Sequence, residues 1–128
     1  MNVLVIALDA ASQVDVPESE VLVVAPALNS RLRRWLSDED EARRLAAERA
    51  DATVERLERR GLHALGQVGD ADPLHAIADA LPEFAADEIV IAGRPGRRPN
   101  LDEELTSRAT ARFGLPVGRG WEVLPYAA

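Results

Sequence analysis

Glu88-Ile89-Val90-Ile91-Ala92-Gly93-Arg94-Pro95-Gly96-Arg97-Arg98 decides the fold: an apolar run, mostly β-branched, opens into two glycines interleaved with three arginines. Such a run predicts a strand buried on both faces, over Glu88–Ala92, delivered into a glycine turn. Two earlier stretches have the same character. Val3-Leu4-Val5-Ile6-Ala7-Leu8 leads straight to Asp9, and Val21-Leu22-Val23-Val24-Ala25 is stopped by Pro26. Doubly buried strands are the mark of a parallel sheet with helices on both faces. A parallel crossover needs about a dozen residues. The polar stretch between Asp9 and Glu20 barely reaches that, so the first crossover is expected to be shortened.

The segments between these runs read as helices. Ser37 with Asp40 three residues on is a capping-box arrangement, and Asp38, Glu39, Asp40 and Glu41 suit the positive end of a helix dipole. Ala42, Leu45, Ala46, Ala50, Thr53, Val54 and Leu57 recur at helical spacing and predict its buried face, with Gly61 as the stop. A weaker strand, of edge type, follows over Leu62–Val68. Asp72-Pro73 then supplies a cap and a proline at the first helical position, and Leu74, Ile77, Ala78, Leu81 and Phe84 line one side of the next helix. Leu101–Phe113 predicts a last helix ended by Gly114. Val117 is a poor strand start, because Gly118 and Gly120 weaken it.

Strands alternating with helices make a single three-layer α/β sandwich over residues 1–128, built on a mostly parallel sheet, with 118–128 as an irregular C-terminal tail. Ligands of such sheets sit at the carboxyl ends of the strands, where strand order reverses. Three loops are expected there: one with Asp9, one with Gly69 and Asp70, and the Gly93–Arg98 loop.

The order of these elements resembles the universal stress protein family. The resemblance is carried by Ile6-Ala7-Leu8-Asp9, Val23-Val24-Ala25-Pro26, Val68-Gly69-Asp70-Ala71-Asp72-Pro73 with Ile77, and Ile91-Ala92-Gly93-Arg94-Pro95-Gly96. It implies a five-stranded parallel sheet in the order 3-2-1-4-5, a homodimer, and ATP held by a glycine motif: Gly, two residues, Gly, nine residues, then Gly with Ser or Thr. Gly93 and Gly96 match the first two positions, and Ser107 matches the last. Thr106 stands where the family has the third glycine. Asp9 matches the acidic residue beside the ribose and adenine. By this resemblance the domain is a Rossmann-like, nucleotide-binding module of stress response.

Composition narrows the function classes. There is no cysteine, which removes disulfides and thiolate chemistry. A net charge of −7 disfavours nucleic acid, whose phosphates repel it. No apolar run approaches the roughly 18–20 residues of a membrane span, and Met1-Asn2 lacks a basic leader, so a cytoplasmic location is expected. Ser107 has no histidine partner in sequence, and His63 and His75 lack metal-ligand spacing, so no catalytic or metal residue is assigned.

The candidate binding residues are Asp9, Gly93, Arg94, Gly96, Arg97 and Ser107. Backbone amides at a strand-to-helix turn hold anions, and Arg94, Arg97 and Arg98 could pair with phosphate oxygens; the same loop also reads as an ordinary turn with solvated arginines. Asp9 reads either as an acceptor for a ribose hydroxyl or as a loop cap. The expectation is a non-enzymatic domain that binds an adenine nucleotide or another small phosphate-bearing ligand. The alternative is a degenerate relative that has lost its nucleotide and serves as a dimeric interaction or scaffold module.

Overall fold

A computed structural model describes residues 1–9, 14, 16–28, 39–93 and 101–119. In chain order they form β1 (Asn2–Ala7), β2 (Glu20–Pro26), α1 (Glu39–Arg59), β3 (His63–Gly69), α2 (Pro73–Ala80), β4 (Glu88–Ala92), α3 (Leu101–Phe113) and β5 (Val117–Arg119). The strands make one five-stranded sheet in the order β3-β2-β1-β4-β5, and every neighbouring pair is parallel. This is a Rossmann-like three-layer sandwich.

Alternation along β1 builds both cores. Val3, Val5 and Ala7 face the α1 side, while Leu4 and Ile6 face α2 and α3. All five are fully buried, which is why the run has no polar position. Helix α1 buries Ala42, Ala46, Ala50, Thr53 and Leu57; the small side chains let it lie close to the sheet. Leu45 and Val54, expected on the same face, are half-buried at its flanks. On the other side Ala76, Ile77 and Ala80 of α2 and Leu105 and Ala109 of α3 close the second core.

The first crossover, residues 8–19, joins two parallel neighbours. Val14 and Val16 from it are buried in the α1-side core, so two valine anchors contribute there to covering the sheet. Arg60, just beyond α1, donates to the Val14 carbonyl and ties the crossover to the helix end.

The helix ends follow local chemistry. Asp72 accepts from the Leu74 amide at 2.9 Å and Pro73 is the first residue of α2. Gly61 and Gly114, both at positive φ, follow α1 and α3. The proposed Ser37 cap lies outside the described residues.

One boundary is corrected. Gly118 and Arg119, read as the beginning of an irregular tail, belong to β5, where Gly118 is opposite Val90 and Arg119 opposite Ile91. The Pro116 carbonyl accepts from the Ile89 amide, and Arg119 pairs with Glu103 of α3 at 3.1 Å. Glycine carries no side chain, so this strand has no hydrophobic alternation to read. The remainder of that tail lies outside the described residues.

Candidate functional site

The carboxyl ends of the strands form a rim, and its centre is the seam between β1 and β4. There the chain order reverses: β2 and β3 extend the sheet to one side of β1, and β4 and β5 to the other. Parallel α/β sheets bind ligands at such a switch point, because adjacent loops diverge to opposite faces and leave a crevice.

Asp9 and Gly93 meet at this seam. Ala7 is opposite Ala92 in register, and the Ala92 carbonyl accepts from the amides of both Leu8, at 2.9 Å, and Asp9, at 3.1 Å. The two expected site residues therefore leave their strands side by side. Asp9 is half-buried and Gly93 is buried. Arg94, Gly96 and Arg97, also expected in the site, lie outside the described residues, as does Arg98.

Ser107 lies on α3. It is the seventh residue of α3, about 9 Å along the axis from the helix start at a rise of about 1.5 Å per residue. It is exposed, whereas Leu105 and Ala109 are the buried positions of that helix. An amide that far into an α-helix is committed to the helical ladder, so it cannot act as a free donor at the helix mouth.

Gly69 and Asp70, at the β3 end of the rim, have structural roles. Asp70 accepts from the Asp72 amide at 2.9 Å, and Asp72 in turn caps α2. The Gly69 carbonyl accepts from Ala27 at 3.1 Å, which joins the exits of β2 and β3. His63 and His75 are both exposed. Among the described residues, no group of three or more His, Asp or Glu side chains converges as a metal site would require.

Arg49 of α1 is a rim residue that the sequence reading missed. Its Nε donates to the Ala7 carbonyl at 3.3 Å, and its Nη2 donates to the Pro26 carbonyl. The guanidinium therefore bridges the last residues of β1 and β2. Burial lowers its pKa from the ordinary arginine value, and the negative charge of Asp9 acts in the opposite sense. The signal in the sequence was faint. Arg49 falls three residues after Ala46 and four before Thr53, on the border of the apolar stripe, where a long cation usually lies along the surface with its head in water.

One described hollow lies elsewhere. A groove of about 580 Å³ opens at the amino ends of β2 and β3, bordered by Leu22, Leu62, Leu65, Phe84, Glu58 and His63. It contains none of the rim residues. Leu65 there is 75% exposed, on the edge strand β3.

A scan against models of known protein families finds no match for this chain, and a search of curated proteins finds none. Among the described residues, no helix is long and apolar enough to cross a membrane.

Proposed function

We propose that this protein is a universal-stress-protein-like binding domain that takes an adenine nucleotide or another phosphate-bearing ligand at the β1/β4 seam. On this reading it acts in cytoplasmic stress signalling through binding and not through chemistry. One observation supports the reading above the rest: Asp9 and Gly93 leave adjacent strands at the switch point, the Asp9 amide donating to the carbonyl of Ala92, the residue before Gly93. An acceptor carboxylate beside a glycine turn is what a ribose and its phosphate need. The sequence beyond Gly93 adds Arg94, Arg97 and Arg98 as partners for phosphate oxygens.

The test is a titration with ATP, ADP and inorganic phosphate, read by thermal unfolding. A ligand selective for the native state at 100 times its Kd adds about 2.7 kcal/mol. Asp9→Asn should weaken nucleotide binding while leaving inorganic phosphate unaffected, because the carboxylate serves the sugar. Unchanged melting at millimolar nucleotide and phosphate would remove the reading.

A second reading rests on a different observation. Leu65 is 75% exposed on an edge strand of seven residues beside the groove. An exposed apolar edge suits an interaction module that pairs with a second copy. Light scattering that finds a dimer whose melting ignores nucleotides would favour it.

A further inference from the structure

We infer that the outer edge of β3 takes an extended segment of another protein by strand addition, and that this segment alternates apolar with basic residues. β3 is the last strand on its side of the sheet, and among the described residues it pairs only with β2. An unpaired strand edge offers backbone donors and acceptors to a further strand. Gly66 and Gln67, in the middle of β3, are exposed along with Leu65. The strand has seven residues and carries none of the lysine or proline that usually closes such an edge.

The two faces beside this edge differ in chemistry. Leu65 stands opposite Leu22 in register, on the face that carries α2, and Leu22 and Phe84 are only half-buried there. All three border the groove and leave an apolar shelf. Successive side chains of a strand point to opposite faces, so every second residue of an added strand meets this shelf. The alternate residues meet α1. Arg49 reaches the ends of β1 and β2 from one flank of that helix. The opposite flank is turned to β3: Val54 Cγ2 lies 3.1 Å from where a Gly66 Cβ would be. Asp51 and Glu58 lie three residues before and four after Val54, on its side of the helix, and both are exposed. They are about 10 Å apart along the axis, within reach of long basic side chains spaced about 7 Å apart on a strand. Glu20 adds a third carboxylate at the groove. No lysine or arginine occurs in residues 1–30 or 61–93, the segments that supply β1, β2, β3, α2 and β4. A second copy continuing the sheet would set Asp51 and Glu58 against their own images, whereas a basic strand complements them.

The probe is a peptide as long as β3, seven residues, alternating leucine or valine with lysine and labelled for fluorescence anisotropy. At about 0.15 M salt, where exposed charges are screened, it should bind about tenfold or more tighter than the same residues with the lysines grouped at one end. Methylation of every backbone nitrogen keeps the charge and the side chains but removes the donors, and should abolish binding. Asp51→Arg with Glu58→Arg should weaken the alternating peptide about tenfold, since two attractions become repulsions. Hydrogen exchange of the β3 amides should slow when the peptide binds. Equal binding of the grouped or the methylated peptide reduces the contact to net charge and overturns the inference. No binding at millimolar peptide, protection confined to elements other than β3, or unchanged affinity in the double variant overturns it too. A dimer in sedimentation velocity that the peptide dissociates makes a second copy the occupant of this edge, and also overturns it. The wild-type comparisons need no variant, so they decide the matter even if the substituted chain folds poorly.

Discussion

Gly69 sits where β3 hands over to the turn before α2, and a side chain there has nowhere to go. A Cβ at this position would lie 2.6 Å from Val24 Cγ1 and 2.9 Å from Ala76 Cβ, both closer than real contacts allow. Gly69→Ala should therefore push α2 off the sheet and cost about 1–3 kcal/mol, as overpacking does. Gly61 is required for another reason. Its φ is +84° and nothing lies within 4 Å of the added carbon, so the penalty there is backbone strain, about 1–2 kcal/mol for alanine. Asparagine separates the two cases. Urea denaturation should find Gly61→Asn milder than Gly61→Ala, since asparagine tolerates the left-handed region, and Gly69→Asn worse than Gly69→Ala. The sequence reading took Gly61 as a helix stop, and that role was legible because it followed a periodic apolar stripe. The crowding at Gly69 was not, because Val24 and Ala76 are distant in sequence and meet only in the folded sheet.

Helix α2 shows how far local chemistry carries an element. Asp72 and Pro73 were sufficient to place its start, and the cap is made through Asp72 Oδ1 and the Leu74 amide. Asp72→Ala should lower stability by about 0.5–2 kcal/mol, and Asp72→Ser should recover most of that loss in the same denaturation experiment. The buried side of this helix rests on Ile77, which is fully buried in the second core. Ile77→Ala should cost about 2–5 kcal/mol, more than the lost cap, because a cavity is added to the lost transfer energy. The β5 strand is the contrasting element. Three residues with glycine at the centre carry no local signal, so pairing with β4 defines that strand.

At the scale of the whole molecule, the sheet has two unlike edges. β5 is three residues long, and Arg119 from it pairs with Glu103 of α3. β3 is seven residues long, contains neither proline nor lysine, and exposes Leu65. Proteins usually blunt such an edge with charge. Leu65→Glu should leave folding stability within about 0.5 kcal/mol, since the side chain is already in water. If the chain self-associates through β3, sedimentation velocity should find the substitution shifting it towards monomer; an unchanged dimer would place the contact elsewhere.

The sequence by itself determined the layers. Uninterrupted aliphatic runs can be satisfied only between two covered faces, and capped amphipathic stretches between them leave helices as the cover. It also determined that Asp9 and Gly93 each close a buried strand. The order 3-2-1-4-5, which makes those two strands neighbours, came only as what the family resemblance implies; their pairing and register are the work of the tertiary structure. It decided as well that Arg49 reaches the same rim from α1 and that Ser107 stands on the solvent side of α3. The reason is physical: burial and periodicity are properties of a segment, whereas adjacency at the strand ends depends on which strands pair.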